Sequence, residues 1–232
     1  MDASNVSVVQ RRIYYLFSPF LRLFHWIMVD CICVLFVTGI LIGKPLQILN
    51  FEPTATYLLM NVVRDLHFLA AFLLCASFVL KIYGFIINKG DRLFPRFWEG
   101  HFYMEVIDVA LHYMLLKKSH KSYLRNPLAR MSYAFLYVLV AIEVLTGFAI
   151  YLMVNPDSIW AFAFSWVNTV LGSEFMTHLV HHYVAWAIIL FASGHLYMVT
   201  RAEFMEGESE VSSMFSGSKV LVHVPTDVKE IL

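Results

Sequence analysis

Charged residues are scarce in this chain. Lys, Arg, Asp and Glu make up 15% of its 232 residues, and the formal net charge is zero. A nucleic-acid partner is therefore not expected, because binding to phosphates depends on an excess of positive charge. Hydrophobic residues reach 59% and the mean hydropathy is +0.67, which is typical of a polytopic membrane protein rather than a soluble domain.

Cysteine is also scarce. The three cysteines, Cys31, Cys33 and Cys75, all fall in apolar runs, and none belongs to a CxxC or CxxCH motif. This excludes a structural zinc site built on cysteines and a covalently attached c-type haem. We expect these thiols to act as small hydrophobic side chains.

Four apolar segments are long enough to cross a bilayer, which takes roughly 20 residues. They lie at 23–43, 62–87, 131–153 and 178–200. Lys and Arg are concentrated before the first segment and in the 88–130 loop, whereas the 154–177 connection contains neither. The positive-inside rule therefore places both termini and the 88–130 loop in the cytoplasm.

Within that loop, residues 101–116 mix aromatic and acidic side chains at helical spacing, which indicates an interfacial helix. We therefore predict an all-α integral membrane protein. It is a single domain over 1–232, a four-helix transmembrane bundle with a cytoplasmic interfacial helix and a cytoplasmic tail at 201–232.

Four histidines within these segments are the strongest functional signal. An ionisable side chain in the membrane marks a functional site by default. His181 and His195 lie fourteen residues apart on the fourth segment, so they share one face and are separated by about 21 Å along the helix. The neighbouring His178 and His182 point in other directions.

The predicted depth of each histidine in the membrane indicates which two form a pair. His25 and His195 lie at the inner side, and His67 and His181 at the outer side. Two axial histidines per iron make a b-type haem site, so we predict two haem b groups. A di-iron site would need clustered Glu and Glu-x-x-His motifs, which the sequence lacks.

A haem-free membrane anchor or small transporter is the alternative of another class. A transporter would show broken helices or inverted repeats around a midplane site, whereas the ionisable residues here lie towards the two edges.

Other polar residues lie close to these histidines in sequence. Three arginines are candidate partners of haem propionates: Arg22 and Arg201 on the inner side and Arg64 on the outer side. The alternative is that these side chains snorkel to the membrane interface. Asp30 and Glu143 lie deeper in their segments. We favour a structural, hydrogen-bonded role for both over a proton path through Glu143, because no chain of titratable groups accompanies them. Segments one and three also share a Thr-Gly pair, in FVTGILIG (36–43) and VLTGFAIY (144–151), which lets helices or a flat cofactor approach closely.

Five segments form an ordered set along the chain: FHW (24–26), RDLHFLAAF (64–72), NPLARMSYAFL (126–136), HLVHHYVAWAIILFASGHLYM (178–198) and VSSMFSGSK (211–219). This set resembles a known family, the b-type cytochrome subunit of membrane-bound nickel–iron uptake hydrogenases, and the resemblance covers essentially the whole chain. It implies two b haems with ligands at His25, His67, His181 and His195.

The resemblance also implies partners and a location. These are a membrane-anchored iron–sulfur small subunit, a nickel–iron large subunit and a quinone, menaquinone or ubiquinone, in the bacterial inner membrane. The nearest alternative is the cytochrome b subunit of a formate dehydrogenase or thiosulfate reductase.

A quinone site is expected near the inner haem, where His120, Tyr123 and Asn126 fall in the loop before the third segment. Quinone reduction needs protons and a hydrogen-bonding pocket, which these side chains offer. The alternative is that Asn126 and Pro127 simply begin a helix, as N-cap and first helical residue.

Overall fold

The computed structural model describes residues 11–44, 53–87, 94–154 and 156–227. These ranges are mostly helical. Their elements, in chain order, are β1 (Arg12–Tyr15), α1 (Pro19–Gly43), α2 (Pro53–Ile87), α3 (Gly100–Tyr113), α4 (Pro127–Tyr151), a 3-10 turn (Leu152–Val154), α5 (Ile159–Leu171), α6 (Glu174–Arg201), a π-helical turn (Ala202–Glu206), α7 (Glu210–Ser216) and β2 (Ser218–Leu221).

Four of the helices are long and apolar enough to cross a membrane, which confirms the predicted helical membrane fold. These candidate spans are Pro19–Gly43, Leu59–Ile87, Pro127–Tyr151 and Glu174–Glu206. The third begins at Pro127 because the side chain of Asn126 caps it, accepting hydrogen bonds from the backbone amides of Leu128 and Ala129 at 2.9 and 3.3 Å.

Two shorter helices occupy the connections. Helix α3 lies where the sequence predicts an interfacial helix, and Phe102 and Val109 are its most buried residues. Helix α5 lies in the aromatic connection after α4. It starts at the N-cap Ser158 and ends at Gly172, whose φ of +90° suits a residue without a Cβ.

The described residues fall into two compact units. The helical unit comprises residues Leu23–Lys89 and Tyr137–Phe191, and the terminal unit comprises Met1–Arg22, Gly90–Leu136 and Ala192–Leu232.

Aromatic side chains connect the helices of the helical unit. Phe36 of α1 meets Trp186 of α6 edge to face, with ring centroids 5.1 Å apart. Phe148 of α4 packs edge to face on Phe72 of α2 and stacks on Phe164 of α5. Such contacts add about 0.5–1.5 kcal/mol each beyond the area they bury.

The terminal unit contains a two-stranded antiparallel sheet. Strand β1 pairs with β2, with Arg12 opposite Leu221 and Tyr15 opposite Ser218. The all-α prediction did not include this sheet, because two four-residue strands some 200 residues apart carry almost no local signal. The pairing brings the segment before α1 and the segment after α6 together in one sheet.

Lys219 of β2 is buried, with 1% of its side chain exposed. Its Nζ donates to the Tyr123 carbonyl at 3.0 Å and to Glu210 at 2.5 Å, and lies 3.3 Å from Glu208. Burial alone would lower the pKa of Lys219, but the two carboxylates raise the pKa above the ordinary value of lysine. The ammonium group therefore stays charged, and its partners offset the cost of burying it.

Gly217, between α7 and β2, should tolerate no side chain. Its φ is +85°, and a Cβ there would lie 2.8 Å from the Phe17 carbonyl oxygen. At Gly207, φ is +70° but the nearest atom to a Cβ, on Val222, is 3.7 Å away. We expect Gly207→Ala to cost about 1–2 kcal/mol from backbone strain and Gly217→Ala about 1–3 kcal/mol more from the clash. Thermal unfolding of the purified protein checks this, and equal melting temperatures for the two variants would contradict it.

Candidate functional site

His67 of α2 is held by Thr38 of α1. The Thr38 Oγ1 lies 2.7 Å from the Val34 carbonyl oxygen and 2.8 Å from the His67 Nδ1. A carbonyl oxygen can only accept, so the hydroxyl donates its proton to Val34 and its oxygen accepts from the Nδ1–H of His67. This fixes the neutral tautomer of His67 in which the lone pair is on Nε2.

The same arrangement holds His181 of α6. The Thr146 Oγ1 of α4 lies 2.7 Å from the Ile142 carbonyl oxygen and 2.9 Å from the His181 Nδ1. Both Thr38 and Thr146 are buried. Two histidines on two helices are therefore presented in the same tautomer by threonines on two other helices.

A glycine follows each threonine and lets the ring lie against the backbone. A Cβ added at Gly39 would lie 3.5 Å from the Cε1 of His67, and one added at Gly147 would lie 3.3 Å from the Cε1 of His181. Each Thr-Gly pair thus provides a hydroxyl oxygen that accepts from the histidine and a glycine that lets the imidazole ring lie close to the helix backbone. The sequence indicated the close approach but not the hydrogen bond.

A carboxyl group also contacts His181. The Oε2 of Glu143 lies 2.6 Å from the His181 Nδ1, and 12% of the Glu143 side chain is exposed. This contact agrees with the hydrogen-bonded role expected for Glu143. Asp30, by contrast, is exposed. A carboxylate on the Nδ1–H of a ligating histidine raises the basicity of that ligand.

The donor set fits a haem iron with two axial imidazoles. His67 and His181 belong to the same unit. Each has its Nδ1 anchored and its Nε2 available, which is how proteins orient histidines as metal ligands. Haem b is therefore the cofactor that these residues suit.

The two neighbouring histidines of α6 are exposed. The Nδ1 of His178 lies 3.0 Å from the Glu174 carbonyl oxygen, and the Nε2 of His182 accepts from the Trp186 indole at 3.2 Å.

His25 and His195, the predicted inner pair, are both half-buried. The ring of His25 meets Trp26 edge to face at 5.1 Å, and that of His195 meets Tyr133 at 6.0 Å. His25 belongs to the helical unit and His195 to the terminal unit, so their pairing stays a prediction.

The three arginines expected near propionates differ in their surroundings. Arg22 donates through Nη1 to the Phe215 carbonyl, Arg201 lies 3.4 Å from Glu206, and Arg64 is exposed on α2. Their role towards haem stays a prediction.

His120 and Tyr123 line one cleft of the terminal unit. The Nε2 of His120 lies 3.3 Å from the Oε2 of Glu206. Burial alone would lower the pKa of His120, but hydrogen bonds to Glu206 and the Lys121 carbonyl raise the pKa above the ordinary value of histidine. Burial raises the pKa of Tyr123 to about 12, so this phenol keeps its proton at neutral pH.

Asn126, the other residue expected at a quinone site, caps α4 with its side-chain oxygen. The capping interaction and the position of Pro127 as the first residue of α4 agree with the alternative prediction that these two residues simply begin a helix. A role of Asn126 towards quinone stays a prediction.

Known proteins resemble this chain over most of its length. A family model described as "Prokaryotic cytochrome b561" matches residues 16–217. A protein of Rhizobium leguminosarum bv. viciae named "Probable Ni/Fe-hydrogenase B-type cytochrome subunit" is 31% identical over 225 residues, 94% of each chain. A protein of the same name from Cupriavidus necator is 33% identical over 210 residues, covering 88% of this chain and 85% of its own.

A third relative comes from Escherichia coli K12. It is named "Probable Ni/Fe-hydrogenase 1 B-type cytochrome subunit" and is 30% identical over 216 residues, covering 88% of this chain and 89% of its own.

The Thr38 hydroxyl should matter through its hydrogen bond to His67. We expect Thr38→Val, which keeps the side-chain shape, to weaken haem binding about 10–100-fold, as typical for losing a partner of a ligating histidine. Thr38→Ser keeps the hydroxyl and should bind haem as the wild type does. Haem titration of the purified apoprotein, followed by absorption, measures both. Equal affinities of the Val and Ser variants would show that the hydroxyl is dispensable.

Proposed function

The chain belongs to the prokaryotic cytochrome b561 family, and from this membership we propose that it is a di-haem b membrane subunit carrying electrons from a nickel–iron hydrogenase to quinone. The names of its relatives support the hydrogenase partner over a formate dehydrogenase or thiosulfate reductase. The observation that carries the proposal is the pair of threonine-anchored histidines, His67 and His181.

We propose that His67 and His181 hold the outer haem. Haem, when bound, supplies a reversible one-electron couple. Thr38 and Thr146 keep each Nε2 free of a proton, and Glu143 gives the Nδ1 of His181 a second polar contact. These residues thereby orient both ligands before haem binds, which reduces the entropy lost on binding.

The inner haem is proposed to be held by His25 and His195. Their positions in sequence support this, since His25 is in the first turns of α1 and His195 is near the end of α6. Arg22 and Arg201 are proposed as propionate partners on this side and Arg64 on the outer side.

We propose that both termini face the cytoplasm and that the protein lies in a bacterial inner membrane. The distribution of Lys and Arg supports the cytoplasmic side. The pairing of β1 with β2 supports a common side, because each strand adjoins a different end of the helical segments.

We propose that the connection at residues 154–177, which would lie on the outer side, contacts the hydrogenase. Helix α5 exposes Ile159, Trp160 and Phe162 by 66–83%, and an aromatic surface of this kind is typical of a protein interface. We propose that the membrane-anchored small subunit of the hydrogenase docks there and links the chain to the nickel–iron large subunit.

Quinone, menaquinone or ubiquinone, is proposed to bind on the inner side near His120 and Asn126. The cleft that His120 and Tyr123 line in the terminal unit supports this placement. Protons consumed by quinone would then come from the cytoplasm.

Removing one outer ligand tests the haem assignment. We expect His67→Ala or His181→Ala to lower the haem content from about two to about one per chain, since each outer haem needs both ligands. Reduced-minus-oxidised spectra and haem-to-protein ratios measure this. His182→Ala, on an exposed neighbour, should keep the full content. Two haems in either ligand variant would refute the outer pair.

The variant Asn126→Asp tests a role of Asn126 in quinone binding without removing its role in capping α4. Asp retains the oxygen that caps α4 but lacks the amide donor. With the complete hydrogenase complex, we expect both haems and hydrogen-to-viologen activity to remain while quinone reduction slows about tenfold, as expected for loss of roughly 1.4 kcal/mol of transition-state binding. Unchanged quinone turnover would place the site elsewhere.

A further inference from the structure

A second histidine cluster lies in the terminal unit, outside the proposed haem sites. It joins His112, in the last turn of α3, His120 in the following loop, and Glu206 in the π-helical turn after α6. The exposed fractions of these side chains are 5%, 6% and 18%. One donor atom from each lies within 4.8 Å of the others.

The outer nitrogen of each imidazole faces a backbone carbonyl. The Nδ1 of His112 lies 3.1 Å from the Lys117 carbonyl oxygen, and that of His120 lies 2.5 Å from the Lys121 carbonyl oxygen. A carbonyl can only accept, so both Nδ1 atoms carry a proton. In the neutral form of each ring, the Nε2 is then a bare lone pair.

Both Nε2 atoms face the carboxylate of Glu206. The distances are 2.8 Å from His112 to Oε1 and 3.3 Å from His120 to Oε2. Lone pairs and a carboxylate repel one another unless positive charge lies between them. Either both imidazoles take an extra proton, or a cation binds all three donors.

A single cation satisfies the cluster better than two protons. Two imidazolium rings with centroids 4.7 Å apart would repel each other. Arg201, 3.4 Å from Oε1 of Glu206, adds the same positive charge in either case. One metal ion instead brings the positive charge to a point shared by the three donors. The 3.3 Å separation between His120 and Oε2 is close to that of two ligands about 2.0–2.1 Å from a tetrahedral ion.

We propose that His112, His120 and Glu206 form a binding site for a divalent first-row transition metal ion. Two imidazoles and one carboxylate suit Zn²⁺ and Fe²⁺, with water in the remaining positions. The Lys117 and Lys121 carbonyls act as the outer partners that orient histidine ligands. His120 also lines an open cleft, which gives the ion a path from solvent.

This site does not involve the proposed haem ligands, but it shares His120 with the proposed quinone site. A metal ion on the Nε2 of His120 and a hydrogen bond from that atom to quinone exclude each other. Metal binding tests the first proposal and quinone turnover tests the second, so the failure of one is distinguished from the failure of the other.

Zinc binding to the full-length protein tests the site. The haem-loaded protein, purified in detergent without a polyhistidine tag and treated with chelator, is dialysed against buffered Zn²⁺ and assayed for bound metal. We expect His112→Gln, His120→Gln and Glu206→Gln each to bind about one Zn²⁺ fewer per chain than the wild type, with at least 100-fold weaker affinity at this site. His120→Cys replaces one zinc ligand by another and should retain the ion.

His101→Gln is the matched control, because His101 lies on α3 with 64% of its side chain exposed, outside the cluster. It should bind Zn²⁺ as the wild type does, and the haem content of every variant checks that it folds. X-ray absorption at the zinc edge of the wild type, which needs no variant, should show two imidazole ligands. Equal zinc binding by wild type and cluster variants, or zinc without imidazole ligands, would overturn the proposal and leave a cluster that binds protons only.

Discussion

An imidazole in the hydrocarbon region finds no water for its two nitrogens, and the helical unit is arranged around this constraint. Each threonine hydroxyl donates to its own helix and therefore can only accept from a histidine on another helix. The proton of each Nδ1 is thus held by a threonine, and the lone pair of each neutral ring lies on Nε2. The chemistry of the site follows from two hydroxyl groups that are themselves satisfied within their helices.

In the terminal unit, buried charged groups are compensated by charged and polar partners. Lys219 is surrounded by Glu208, Glu210 and the Tyr123 carbonyl. Asp227 accepts from the backbone amides of Leu124 and Arg125 at 2.7 and 2.8 Å. Removing one partner of such a pair leaves a buried charge without compensation, which costs far more than the pair itself contributes. These contacts attach the segment after α6 to the loop before α4.

The spans could be predicted from the sequence because twenty apolar residues in a row are a local property. The orientation of His181, and not His178 or His182, towards the protein also agrees with simple helix geometry. Asn126 and Pro127 mark the start of α4 by residue type alone.

The remaining features depend on contacts between distant residues, which no local pattern encodes. The repeated Thr-Gly pair was visible, but that Thr38 meets His67 depends on the rotation of two helices. His112 and Glu206 are 94 residues apart, and neither lies in a recognisable metal-binding motif. Strands β1 and β2 are each four residues long, too short for an alternating pattern to stand out.

The β1–β2 pairing also has a consequence for biosynthesis. Strand β1 is synthesised before the four candidate spans, whereas β2 is completed only after all of them. The backbone of β1 therefore has no strand partner while the spans are being synthesised. Its pairing with β2, from Arg12 opposite Leu221 onwards, forms as a late step of assembly. A chain that stops before Ser218 leaves β1 with an open strand edge, the kind of surface that promotes aggregation and that protein quality control can act on. Closure of this small sheet thus requires that all four candidate spans have already been made.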